Sequence, residues 1–335
     1  MKDNEKIDFL AIGDIVLDAF IKLKDARIDT DPDEKDHGMD EICFRFGDKV
    51  PYESVTVIPA VGNAPNASVA AARLGLKTAL ITNMGDDQHG NDCLESLKKD
   101  GVLTEYITKE KDKTTNYHYV LWYDVDRTIL IKHTKFEYKF PEIGEVAWVY
   151  LSSLAENTLP YHDKIIAYLK NYPNTKLAFQ PGTFQLKFGT EKLKEIYART
   201  EIFFCNKEEA EIILNVKTTD IKILIEGIHK LGPKIICISD GPKGSYASDG
   251  ENIYFIPMYP DIAPPVDRTG AGDAFSSTFA VAIASGKTIQ EALQWGPINS
   301  MAVVQEIGAQ KGLLTREKLE EYLQNAPESY KVRKL

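Results

Sequence analysis

Cysteine is scarce, and the four present, Cys43, Cys93, Cys205 and Cys237, stand far apart with no CxxC or Cys/His ligand spacing. That excludes a disulfide framework and a zinc site, and predicts buried free thiols. The six histidines are also scattered, with no HxxxH or triad-like arrangement. Surface or packing roles are expected for them rather than metal binding. Long apolar runs are missing too. The N-terminal MKDNEKIDFLAIGDIV alternates charge before a short apolar run and has no signal-peptide core, and no stretch reaches membrane-span length. A cytoplasmic location and no membrane partner are expected.

Positive charge is in deficit, with 40 basic against 50 acidic side chains and a formal charge of −10. A phosphate backbone would be repelled at long range, so no general nucleic-acid partner is expected. Neither a fixed-period repeat nor a Pro- or Ser-rich linker divides the 335 residues. What is present is 43% hydrophobic and 27% charged residues, enough for a sizeable core. Residues 1–335 are expected to form a single domain.

Residues 7–12 (IDFLAI) read as a buried strand that delivers Asp14, and shortly after it Asp18, where ligand-facing residues sit in open parallel sheets. Between about residues 25 and 58 the chain turns acidic and turn-rich. EICFRFG then alternates Ile42, Phe44 and Phe46, and SVTVIP follows as a strand. This predicts a β-rich lid over 25–58, joined by parts of 114–134, whose apolar face must cover the main domain, a substrate or a second subunit. NAPNASVAAARLG reads as a helix with Asn63 as N-cap and Gly75 as its stop. Later strands AWVYLSS, KLAFQ, EIFFCN and KIICISDG alternate with helices, including EKLKEIYART, at crossover spacing. The fold class is therefore α/β: a doubly wound, mainly parallel sheet with helices on both faces plus a small lid.

The densest chemical signal is PPVDRTGAGDAFSSTFAVAIASG. Gly270, Ala271 and Gly272 make a tight turn into a helix, and the free N–H groups of residues 270–273 suit a migrating anion. Asp273 in that first turn has two readings: a partner for the helix dipole, or a base that takes a proton from a hydroxyl beside the anion. Two better-known nucleotide motifs fail. Phe275 stands where a GxGxxG would need its last glycine, and Val281 where a Walker A loop ending at Gly286-Lys287-Thr288 would need its first. Thr288 with Glu291 instead reads as a capping box.

DRTGAGDAF together with VGNAPNASVAAARLG resembles the two signatures of the ribokinase-like, or PfkB, family of sugar and nucleoside kinases. GDIVLD, MGDDQHG, NKEEAE and SDGPKG also match family landmarks, so the resemblance spans nearly the whole chain. It implies Asp273 as catalytic base and Gly270, Ala271 and Gly272 as the anion hole. It implies substrate contacts from Asp14, Asp18, Gly62, Asn63 and Asn66. For Asn63 the competing reading is the N-cap, and for Asn66 an exposed helical position. Val61 stands where the family commonly has the first of two glycines, and valine restricts the hinge of a closing lid.

On the nucleotide side the resemblance implies Asn206 and Glu209, with Glu209 reaching magnesium through water, although Asn206-x-x-Glu209 equally forms a capping box. Gly241, Lys243 and Gly244 would lie along the phosphates, or simply form a hairpin turn. Asn299 falls where the family lines its adenine pocket. ATP and Mg2+ are the implied cofactors, with K+ a further candidate, and a homodimer through the lid is the implied assembly.

The expected function is transfer of the γ-phosphoryl of MgATP to a hydroxymethyl group of an unphosphorylated sugar of the ribose, fructose or 2-keto-3-deoxygluconate type. The GNAPN run carries no lysine to hold an acceptor phosphate. A nucleoside acceptor is the alternative, and a non-catalytic sugar- or nucleotide-binding protein is the rival from another class.

Overall fold

The computed structural model describes residues 6–29, 41–123 and 126–335. In chain order the first strands are β1 (Phe9–Ile12), β2 (Val16–Leu23), β3 (Arg27–Asp29), β4 (Glu41–Cys43), β5 (Tyr52–Val61), β6 (Thr78–Gly85), β7 (Ile107–Glu110) and β8 (Asn116–Tyr123). They are followed by β9 (Asp126–Leu130), β10 (Trp148–Leu151), β11 (Lys176–Phe179), β12 (Ile202–Asn206), β13 (Ile235–Ser239), β14 (Ser245–Ser248), β15 (Ile253–Ile256) and β16 (Arg333–Lys334). The helices are α1 (Asn63–Arg73), α2 (Gln88–Lys99), α3 (Leu159–Asn171), α4 (Thr183–Lys192), α5 (Lys194–Arg199), α6 (Lys207–Leu214), α7 (Ile221–His229), α8 (Ala271–Ala284), α9 (Ile289–Val303) and α10 (Arg316–Gln324).

The main sheet runs β16-β15-β14-β13-β12-β11-β10-β1-β6-β7. From β7 to β13 every pairing is parallel, and an antiparallel edge of β14, β15 and β16 completes it. Its inner strands are mostly apolar because both faces are covered. In β1, Phe9 and Ala11 enter one core with residues of α1, α8 and α9, while Leu10 and Ile12 enter the other with α3 and α7; all four are fully buried. β12 splits in the same way, Ile202 and Phe204 against Phe203 and Cys205. Each fully buried large side chain contributes about 1.5–3 kcal/mol, so removing either helix layer would expose a continuous apolar face.

This topology determines where a ligand sits. The chain leaves β1 toward β6 on one side and β10 on the other, a reversal that opens a crevice at the carboxyl ends of the strands. Asp14 follows β1, Gln180 follows β11, Asn206 ends β12 and Gly241 follows β13, so the candidate residues gather on one rim.

A second sheet, β5-β2-β8-β9, stands beside that rim. β2 pairs antiparallel with β5 and parallel with β8, so the excursion takes up Val16–Leu23, ahead of the expected residue 25. Alternation gives one row in which Asp18 and Phe20 are buried, and an opposite row in which Val55, Val57, Tyr119 and Leu130 are exposed. The acidic segment 30–40 lies outside the described residues. EICFRFG does not form the expected long strand: β4 ends at Cys43, pairs among the described residues with β3 alone, and leaves Phe44 and Phe46 exposed. Two paired strands of three residues have no sheet to bury those rings against.

Three local expectations are corrected. Gly62, at φ 122°, is the N-cap of α1, and Asn63 is its first residue. EKLKEIYART is not one helix: Leu193 (φ −104°, ψ 15°) leaves the helical region and separates α4, which starts at Thr183 and is kinked at Gly189 (φ 80°), from α5. Cys43 is half-buried rather than buried; all four thiols are free. The Thr288–Glu291 capping box is present.

Candidate active site

Gly270 is in the left-handed region, φ 80°, where a side chain is strained. A Cβ there would stand 2.3 Å from Cβ of Ala309. Gly270→Ala is therefore expected to destabilise the protein by about 2–3 kcal/mol, read as a lower denaturation midpoint. Past that turn, the first N–H groups of α8 have no intrahelical partner, and Asp273 lies among them.

Asp273 does more than complement the helix dipole. Its Oδ1 accepts hydrogen bonds from Nδ2 of Asn63 at 2.8 Å and Nε2 of Gln180 at 3.1 Å, and its Oδ2 accepts from Nδ2 of Asn66 at 2.8 Å. Burial raises its pKa above the usual carboxylate value, and the Asn66, Gln180 and Asn63 amides pull the other way. The result is an ionisable acid held in one orientation at the mouth of a helix.

The amides are themselves held. Asn63 is free to face Asp273 because Gly62 takes the cap position, and Gly62 must be glycine: its Cβ would lie 2.7 Å from the Asp14 carbonyl oxygen. Asn66 is buried at 3% exposure, not solvent-facing, and its Oδ1 accepts from Nε2 of Gln310 at 2.9 Å. Gln310 donates also to the Ala60 carbonyl at 2.7 Å. Gln180 is fixed by the Tyr150 hydroxyl, which donates to its Oε1 at 2.5 Å. With the side-chain carbonyls of Asn66 and Gln180 engaged, their NH2 groups are turned toward the carboxylate. Val61, in place of a glycine, is buried as the last residue of β5 opposite Val16, an extended position that suits a β-branched side chain.

Gln180, Gln310 and Tyr150 were not singled out from sequence. Gln180 had a usable signal, since it follows the strand KLAFQ just as Asp14 follows IDFLAI. Gln310 had none, because its partners are about 244 positions away in the chain.

Asp14 receives the Tyr138 hydroxyl on Oδ1 at 2.6 Å, and its Oδ2 is buried without a partner. Burial raises its pKa to about 6, offset in part by Tyr138 and the Ala155 amide. Asp18, four residues on, faces His118 across β2 and β8, with Nδ1 at 3.5 Å from Oδ1.

On the other side of Gly272 lies a cleft of about 230 Å3, walled by Gly241, Tyr259, Arg268, Phe275, Ser300 and Met301 among others. Its apolar walls and its contact with Ala271 and Gly272 suit a flat base with phosphates leading toward the start of α8. Asn206 and Glu209 form the capping box of α6, with bonds of 2.7 and 2.9 Å. Burial, and then the neighbouring charges of Asp273 and Glu208, raise the pKa of Glu209. A carboxylate crowded by two others favours a cation, so the donor set fits magnesium held largely by phosphates and water. Among the described residues no cluster of His, Cys, Asp and Glu forms a protein-only metal cage.

Two expectations on this side are corrected. Asn299 does not line the cleft: it is fully buried, donating to Thr278 Oγ1 at 2.8 Å and accepting from the Leu314 amide at 2.9 Å, while Ser300 and Pro297 take the wall. Lys243 points away, exposed beside Asp240, and the wall there is Gly241 and Pro242. Gly244 adopts φ 108° in the turn joining β13 to β14, where a Cβ would meet the Ile256 carbonyl oxygen at 2.4 Å.

Comparison with known proteins gives the family and the fold. The family model described as "pfkB family carbohydrate kinase" matches residues 25–316. A ribokinase of Bacillus subtilis is 28% identical over 288 residues, covering 83% of this chain and 92% of that protein. Among solved structures, Arabidopsis thaliana ribokinase complexed with ribose and ATP superposes with a TM-score of 0.78 at 20% identity, over 96% of this chain and 99% of the other. The Methanocaldococcus jannaschii nucleoside kinase gives 0.76 at 19% identity, over 96% and 100%. With the two signature segments meeting at one carboxylate and the family pattern running through nearly nine-tenths of its length, the chain belongs to the pfkB family of carbohydrate kinases.

Proposed function

We propose that the protein transfers the γ-phosphoryl group of MgATP to a hydroxymethyl group of an unphosphorylated sugar, with Asp273 as the base. The observation that carries this reading is the clasp on Asp273, whose carboxylate is oriented by Asn63, Asn66 and Gln180 at the start of α8. An acceptor hydroxyl brought beside it gives up its proton to the carboxylate as its oxygen attacks phosphorus in line. The first N–H groups of α8, from Gly270 to Asp273, take the charge of the migrating phosphoryl. Asp14, Asp18, Gly62, Asn63 and Asn66 position the acceptor; Arg268 and the turn at Gly241 and Gly244 lie along the nucleotide. When bound, Mg2+ supplies charge neutralisation for the phosphates, held by them and, through water, by Glu209 beside Asn206.

The second sheet acts as a lid that excludes water and so prevents idle ATP hydrolysis. Its edge strand β5, with Tyr52, Val55 and Val57 exposed, is the surface through which two copies pair. A cytoplasmic setting accords with four unpaired thiols and a need for MgATP. Among the described residues no helix is long and apolar enough to cross a membrane. A K+ requirement belongs to the same reading, and omission of the ion from the assay tests it.

A nucleoside acceptor is the second reading, favoured by the Phe184 ring edge-on to His133 at 5.6 Å, an aromatic surface near Gln180. The test is ADP formation from MgATP across pentoses, hexoses, keto-acids and nucleosides. A sugar is expected to give acceptor-dependent ADP with the phosphate on its hydroxymethyl oxygen. Turnover with nucleosides alone selects the second reading, and stoichiometric binding without ADP selects a binding protein.

A further inference from the structure

Four polar atoms on the acceptor side are buried without a hydrogen-bond partner: Oδ2 of Asp14, Oδ1 of Asp18, Nε2 of His118 and Nδ1 of His133. Two of them belong to histidines for which the sequence suggested only surface or packing roles. Leaving such atoms unpaired costs about 1–3 kcal/mol each, so a cluster of them in one place indicates a partner that the protein is built to receive.

The cluster is placed by the sheet register. Asp18 and His118 are directly opposite on β2 and β8, and only 8% of Asp18 is exposed. The His118 ring stands edge-on to His133 at 5.5 Å, and His133 stands edge-on to Phe184 at 5.6 Å. Phe184 is in the first turn of α4, four residues after Gln180, whose amide holds Asp273. The three polar side chains therefore bridge the second sheet to the start of α4, four residues after the amide that holds Asp273.

We propose that Asp18, His118 and His133 read the end of the acceptor remote from its reacting hydroxymethyl group, and that they select a neutral polyhydroxy compound over one carrying a carboxylate or phosphate there. This rests on the phosphotransfer reading and narrows it. Ionised carboxylates only accept, so Asp14 and Asp18 require donors, which hydroxyls provide and anions do not. A neutral imidazole offers one donor and one acceptor, again the complement of a hydroxyl. Asp18 pairs with His118 rather than with a lysine or arginine, so an anionic end group would face a carboxylate without a permanent positive charge to offset it. Burial, and then the charge of His118, lower the pKa of His133, which keeps that ring neutral near pH 7. The set is not a metal site, since no metal-holding group occurs among the described residues.

The test is calorimetric binding of D-ribose, D-fructose, adenosine, D-gluconate and D-ribose 5-phosphate to the full chain with a non-hydrolysable ATP analogue, alongside ADP formation. A neutral compound is expected to bind tightest, and Asp18→Asn to weaken it about tenfold with unchanged affinity for the analogue. His133→Gln serves as the milder probe should Asp18→Asn fail to fold, with the same selective loss expected. Tightest binding of gluconate or the sugar phosphate, binding of no neutral compound, or wild-type acceptor affinity in both variants overturns the assignment. Neutral-acceptor binding without ADP formation sinks the phosphotransfer reading instead and leaves the selectivity standing.

Discussion

Asp273→Asn is expected to bind MgATP as the wild type does and to turn over about 10²- to 10⁴-fold more slowly, the range for loss of a positioned general base. The contacts sharpen this expectation. Three NH2 groups point at the two carboxylate oxygens, and an asparagine would set its own NH2 against at least one of them. The variant thus loses the proton acceptor and also disturbs the clasp. A full pH profile separates the two. Protonation of Asp273 abolishes activity on the acid side, at a pH above the usual carboxylate range because burial raises its pKa. In Asp273→Asn that acid limb should vanish along with the rate. Retention of near-normal turnover, or an unchanged acid limb, would show that another group takes the proton.

The second large effect runs in opposite directions for stability and activity. Asp14 is buried with one oxygen unpartnered and a pKa raised to about 6 from 3.8. The folded protein therefore holds that proton more tightly than the unfolded chain does. Below about pH 4 both states are protonated and the site costs nothing. As pH rises through the interval toward 6, the unfolded chain releases its proton first and the native state loses ground, and above about 6 the penalty is complete, on the order of 3 kcal/mol.

Asp14→Asn removes that penalty while its Oδ1 still accepts from Tyr138. It should raise the melting temperature by a few degrees at pH 8, with the gain vanishing near pH 4. Acceptor affinity should fall at least tenfold in the same protein, since one charged hydrogen-bond acceptor is gone. Parallel melting curves at the two pH values, with acceptor KM at pH 8, check both halves. A variant less stable at pH 8 would mean that the charge is compensated after all. The strain of an unsatisfied carboxylate is a common feature of sites shaped for a ligand rather than for the fold.

Much of the layout was legible along the chain because its signals are local. Strand and helix alternation set the doubly wound sheet, Gly75 and Gly101 stop helices as punctuation suggests, and the turn at Gly270 leads into α8. Local reading failed where a residue had two local uses and a distant partner decided between them. Asn63 looked like a cap until Gly62 was seen to take that position, and the amide then reaches Asp273 across 210 positions. Asn206 and Glu209 show the opposite outcome, in which the capping box forms and Glu209 still lies near Asp273. The family resemblance puts Asn299 at the adenine pocket, but a matched position does not say which neighbours cover it; Thr278 and Leu314 do.

By itself, then, the sequence determined the α/β class, the order of strands and helices, and the two signature segments, since these depend on periodicity, turn chemistry and residue type within short windows. Only the tertiary structure decided which side chains surround the Asp273 carboxylate. Gln180, Gln310 and Tyr150 acquire their roles from hydrogen bonds between chain-distant segments. His118 comes opposite Asp18, with His133 beside it, because β8 pairs with β2 rather than with the preceding strand β7 of the main sheet. Hydrogen bonds have a reach of about 3 Å and a strict direction. Which groups come within that reach depends on how the sheets are registered and packed, and no single window of the chain contains that information.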